Sequence, residues 1–287
     1  MQLPKATSTP LFLFLGLVTI FATLSYFVAF SGGEGNEQGG FLLLQFSPAF
    51  AAIITKLIHQ RNLKGLGWTW GKSRYQLISL VLPFVIALIG FGLVWILGFG
   101  NLVSEPYIAE AQAGISAQFG INISSNFLLI LMVIILNSTI GLLIGFAAIG
   151  EEIGWRGFLV PELFKQMSYT KTSIVSGIIW SAFHFPLLFV IIAPKLEVSV
   201  WPLLISTTIS GIGLSFILAW LRLKSGSLWT AVIFHAALNI HVQGFFQNLT
   251  EKSSSLTNYI SGEQGLMMAL VTALVAYLFW RKRGEIK

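Results

Sequence analysis

The chain has 287 residues, 55% of them hydrophobic and only 10% charged, with a net charge of +6. A soluble domain carries about 25% charged residues, and the mean hydropathy of +0.81 also excludes an ordinary soluble fold. There is no cysteine, so disulfides and thiolate-held metals are excluded; all 11 acidic residues are glutamate.

Several apolar runs reach the roughly 20 residues that a helix needs to cross a bilayer. In chain order they predict helices at about 9–30, 41–58, 77–98, 127–150, 172–193, 201–221, 227–247 and 264–280. The first is long for a signal-peptide core and reads as a span. The second is short and contains Pro48, so a tilted or re-entrant segment also fits it. The fold class expected is an all-α polytopic membrane protein of about eight spans, forming a single domain over residues 1–287. Its basic residues mark topology rather than a nucleic-acid surface. With both termini in the cytoplasm, the inside segments hold Lys5, Lys56, Arg61, Lys64, Lys72, Arg74, Lys165, Lys171, Arg222, Lys224, Arg281, Lys282, Arg283 and Lys287. The outside loops hold only Lys195 and Lys252, and the long loop 99–126 has no basic residue. That asymmetry is the positive-inside pattern. The aromatic and basic stretch Lys64–Gln76 reads as an anchoring loop at the cytoplasmic interface.

Ionisable residues inside spans are rare, because each costs roughly 2.5–3.5 kcal/mol at a helix centre. Here they gather. Glu151, Glu152 and Arg156 end the fourth span, His184 lies in the fifth, and His235 and Asn239 lie in the seventh. Counted from the cytoplasmic ends at about 1.5 Å per residue, the three elements meet in the cytoplasmic half of the membrane. Glu152 and Arg156 are spaced i, i+4 and pair on one face, as His235 and Asn239 share another. Glu151 is turned about 100° from Glu152 and is left to meet the two histidines. A buried carboxylate beside histidine can take a proton from water and deliver it to a leaving group. A second histidine and an amide can stabilise an oxyanion. His59 and His241 read as structural. Gly141 and Gly145 form a G-x-x-x-G that lets another helix approach, and Gly150 reads as a flexible point before Glu151.

Three motifs resemble those of the CAAX protease and bacteriocin-processing (CPBP, or ABI) family of intramembrane proteases. "EEIGWRG" (Glu151–Gly157) resembles its E-E-x-x-x-R motif, His184 in "IIWSAFH" its second, and "HAALN" (His235–Asn239) its third. Trp180 stands where the second motif often has phenylalanine. The motif-bearing core covers about 127–239; the spans within 9–98 and the last at 264–280 are not distinctive. The resemblance implies a bundle of about eight helices around a polar cavity facing the cytoplasm. It also implies hydrolysis of a peptide bond in a membrane-associated peptide or protein, with or without a prenyl group. In that family pattern Glu151 activates water, His184 positions it, His235 and Asn239 hold the oxyanion, and Glu152 and Arg156 support the site. Zinc held by Glu151, His184 and His235 is the competing arrangement, with a metal-independent mechanism preferred. A proton-coupled transporter and a non-catalytic scaffold or immunity protein are the rival classes.

Overall fold

The structure is a computed structural model, and it describes residues 9–286. Lys5 and Lys287 of the charge pattern lie outside the described residues. Helix occurs at all eight expected positions. They are α1 (Thr9–Phe30), α2 (Glu34–Gln60), α3 (Ser73–Ile96), the bent pair α5 (Asn126–Gly141) and α6 (Phe146–Phe164), α7 (Tyr169–Leu196), α8 (Val200–Ser225), α9 (Trp229–His241) and α10 (Leu266–Arg281). Between α3 and α5 lies α4 (Glu105–Phe119), a helix not foreseen in the long loop. Among the described residues five helices are long and apolar enough to cross a membrane, or six if the bent pair is one span. α10 is shorter, and α9 continues through a π turn to Leu249. The architecture is that of an all-α polytopic membrane protein, with the count of eight spans not reached by length and composition alone.

The second expected span is longer than the sequence suggests. α2 is one continuous helix through Pro48, whose missing N–H falls where the chain meets α6. Gly150 and Gly154 explain the meeting. A Cβ on Gly150 would lie 2.6 Å from the Gln45 carbonyl oxygen, and one on Gly154 would lie 2.7 Å from that of Pro48. These glycines are therefore contact points rather than flexible ones. Gly141 and Gly145 do the same for α9, facing Ile240 and Ala236 at 3.2–3.4 Å. Gly177 brings α7 against Ile212 of α8. Adding atoms at such sites costs about 1–3 kcal/mol. Gly154→Ala accordingly lowers the melting temperature in detergent, whereas Gly16→Ala, with open space around it, leaves it nearly unchanged.

The α5–α6 bend of 42° arises where a π turn at Asn137–Gly141 is followed by a 3-10 turn at Phe146–Ala148, the usual causes of a sharp kink. After it the helix does not end at the charge cluster. It runs on through a π segment, Ile153–Leu159, in which every residue is buried.

The two ends of the bundle differ. At one end the basic loops gather: Arg222 donates to the carbonyls of Arg156 (2.9 Å) and Gly65 (3.0 Å), Leu228 N–H to that of Gly67, and Lys224 to Glu285. Leu66 is buried beneath that loop, so Lys64–Gln76 is a packed seal as well as an interface anchor. At the other end Asn101 pairs with Glu251, Thr257 donates to Phe99, Asn258 to Leu196, and Ser199 N–H to Tyr259.

Candidate active site

Glu151 and Glu152 sit on consecutive positions of α6, and the turn between them sends their carboxylates to different partners. Glu151 Oε2 accepts from two indole N–H groups, Trp180 at 2.8 Å and Trp155 at 3.2 Å. His184 Nε2 lies 4.0 Å from the same oxygen. The imidazole is turned that way because its Nδ1 donates to the Trp180 carbonyl at 2.9 Å, one helical turn back. Glu152 Oε1 accepts from Arg156 Nη1 at 2.8 Å and from His235 Nδ1 at 2.9 Å. Arg156 and Glu152 are both wholly buried.

The Glu152–Arg156 pair is as expected, but one part of the sequence reading is corrected. Glu151 does not meet both histidines through hydrogen bonds; His235 is bonded to Glu152. With two adjacent glutamates, the rotation of α9 relative to α6 decides which one a histidine reaches, and helix rotation is set by packing rather than by spacing. The consequence is useful: with Nδ1 held by Glu152, His235 presents its Nε2 edge. Asn239, one turn further along α9, lines the same cavity as Glu151, His184 and His235. His241 is buried against Phe84 at 5.1 Å and is absent from the cavity wall. His59 lies at the exposed end of α2.

Trp180 is the residue that sequence reasoning undervalued. Its indole N–H binds Glu151, its carbonyl holds His184, the Arg156 guanidinium sits 4.7 Å from its ring, and both histidine rings meet it edge-to-face at 5.6–5.7 Å. Phenylalanine could supply the packing but not the N–H. Trp155, i+4 from Glu151, is fixed between Phe14 and Phe183. Spacing was the available signal: each tryptophan stands four residues from a motif residue on the same helix face, but membrane helices are rich in tryptophan for other reasons.

The cavity has a volume of about 630 Å³. Its wall is mainly apolar, with Phe41, Leu187, Leu214 and Met268 among the lining residues, and Glu151 and the histidines are set into it. It extends from the carboxylate toward Gln38, Gln243, Glu263 and Gln264. These lie at the helix ends opposite the basic loops. The buried Ile153–Leu159 segment and the Leu66 loop occupy the basic side.

The fit to zinc is poor. Among the described residues no three His, Asp or Glu side chains are placed to hold a metal ion. The Glu151 oxygen nearest His184 already faces two N–H donors, whose positive ends oppose a cation, and His235 is committed through Nδ1 to Glu152.

Comparison with known proteins follows the same residues. Residues 125–241 match the family described as type II CAAX prenyl endopeptidase Rce1-like. The chain is also similar to CAAX prenyl protease 2 of Methanococcus maripaludis, with 27% identity over 214 residues, 72% of this chain and 68% of the relative. The matched segment holds Glu151, Glu152, Arg156, His184, His235 and Asn239, the whole of the polar site. Through residues 125–241 the chain is similar to the Rce1-like CAAX prenyl endopeptidase family.

Proposed function

We propose that the protein is an intramembrane endopeptidase that hydrolyses a peptide bond with water activated by Glu151. The observation that carries this reading is the Glu151–His184 pair: 4.0 Å apart, too far for a direct hydrogen bond, with both groups held in place by Trp180. A gap of that size suits one bridging water, with hydrogen bonds of about 2.8 Å to each side. His184, whose Nδ1 proton is committed to a carbonyl, offers Nε2 as the second acceptor for that water.

The reaction balances with these groups alone. Water oxygen adds to the scissile carbonyl carbon as Glu151 takes one of its protons. His235, as imidazolium against Glu152, donates from Nε2 to the developing oxyanion, and the Asn239 amide donates beside it. The tetrahedral carbon then expels the amine, and the proton on Glu151 passes to the leaving nitrogen. One C–O bond forms, one C–N bond breaks, and Glu151 returns to its starting state. The apolar wall keeps other water away, which strengthens each of these electrostatic contacts. No metal takes part in this scheme.

The substrate is a peptide or protein associated with the bilayer, and the apolar wall accommodates a lipidated or a simply hydrophobic one. Purified protein is tested on membrane peptides whose abundance changes when the protein is removed. His184→Ala and His235→Ala each remove most of the cleavage. Asn239→Ala lowers kcat by about 10²–10³-fold, the usual effect of losing one oxyanion donor, with the fold intact by thermal melting. Wild-type rates in both histidine variants would dismantle the three-helix site.

A further inference from the structure

The basic end of the bundle holds a second cleft, and none of its lining residues belongs to the cavity at Glu151. It lies between the start of α3, the end of α8 and the chain after α10, with a volume of about 370 Å³. That falls within the roughly 300–1,000 Å³ of small-molecule sites. Among the described residues its wall sets three cations, Lys72, Arg74 and Lys224, against one carboxylate, Glu285, alongside Tyr75 and Ser225.

Packing builds this cleft. Gly71, at φ +73°, lets the loop before α3 lie on the end of α8, where a Cβ would come 3.0 Å from the Ser225 carbonyl oxygen. The Arg74 guanidinium sits 4.7 Å from the buried Tyr75 ring and donates to the Tyr75 hydroxyl at 2.7 Å. The chain after α10 folds back on α8. There the Trp220 indole donates to the Lys282 carbonyl at 3.3 Å, and Lys224 Nζ donates to that of Glu285 at 2.8 Å. Lys224 also pairs with the Glu285 carboxylate at 3.5 Å. Neither Lys72 nor Arg74 has an ion-pair partner among the described residues.

The cleft stands at headgroup level. Arg74 tops an exposed apolar stripe of α3, formed at helical spacing by Leu77, Ile78, Val81 and Val85. On α10 the exposed Leu274 and Leu278 lead to the stacked pair Tyr277 and Trp280, with the Arg283 guanidinium 3.8 Å from the Trp280 ring. Aromatic and basic residues at the end of an apolar face mark a membrane–water interface.

From the cleft and the stripe together we propose that this corner binds the phosphate of an anionic phospholipid. Arg74 and Lys72 hold the phosphate oxygens through charge-assisted hydrogen bonds. Lys224 adds positive charge, and an acyl chain lies along the exposed face of α3. That face favours a lipid over inorganic phosphate, which would leave it unused. Basic pockets between membrane helices take anionic headgroups in the same way. The site is independent of the proteolytic reading.

Native mass spectrometry of the purified chain in neutral detergent tests it, with phosphatidylglycerol and phosphatidylcholine of matched acyl chains as probes. The wild type retains one phosphatidylglycerol in preference to phosphatidylcholine. Lys72→Gln and Arg74→Gln each weaken that retention about tenfold, the loss of one charge-assisted hydrogen bond. Lys171→Gln, which removes an exposed charge beside the α10 end but outside the cleft, leaves it unchanged. Glu285→Gln tightens it, because the competing carboxylate is gone while the Lys224 bond to the backbone carbonyl stays. Melting curves without lipid check that each variant is folded. Equal retention of the two lipids would overturn the proposal, and so would equal weakening in Lys171→Gln or no gain in Glu285→Gln. Millimolar inorganic phosphate that raises the melting temperature of the wild type but not of Arg74→Gln, with no preference between the lipids, would assign the cleft to free phosphate instead.

Discussion

Glu151→Gln abolishes cleavage and leaves the fold standing. Losing a positioned general base costs about 10²–10⁴-fold in rate, and in this site no neighbour can take over. Glu152 is occupied by Arg156 and His235, and its Oε1 already accepts twice. The amide of the variant still offers an oxygen to the Trp155 and Trp180 indoles, so the packing around the position survives. Steady-state cleavage and a melting curve in the same detergent check both halves. Retained cleavage in this variant would return the scaffold reading to first place.

Glu152→Gln has a different signature: it lowers stability and activity together. Glu152 and Arg156 are wholly buried and paired at 2.8 Å. Removing one member of such a pair costs about 3–5 kcal/mol, because the other charge is left uncompensated. The cation has little to fall back on, since its other side-chain contacts are a 3.4 Å bond to Ser215 and the face of Trp180. His235 loses the carboxylate that holds its Nδ1 at the same time, so its ring is no longer fixed toward the oxyanion and donation weakens. Thermal melting measures the first effect and kcat the second. A variant that melts like the wild type would show that the pair does not hold α6 in place.

The contrast between the two glutamates shows how far the sequence reaches. Charge in an apolar background made Glu151, Glu152, Arg156, His184, His235 and Asn239 visible, and helical periodicity separated the two carboxylates. It could not say which carboxylate each histidine meets, because that depends on how α7 and α9 are rotated against α6. The helices were legible from apolar run length, but their ends were not: α6 continues past Arg156, whose buried guanidinium is paired with Glu152 and contacts Ser215 and Trp180 of neighbouring helices. α4 escaped notice because a helix of mixed composition in a loop lacks the apolar signal of a span. Gly150 looked like a hinge, and only the nearness of Gln45 and Pro48 identifies it and Gly154 as the place where α2 docks. The course of the cavity was beyond the sequence too, because it depends on which helix ends stay apart.

The central claim is that a carboxylate, without a metal, activates the water. The rate of membrane-peptide cleavage by purified protein after exhaustive chelation, with metal content measured on the same sample, tests it most directly. The account predicts an unchanged rate at negligible zinc. Stoichiometric zinc whose removal stops cleavage, and whose return restores it, would contradict it.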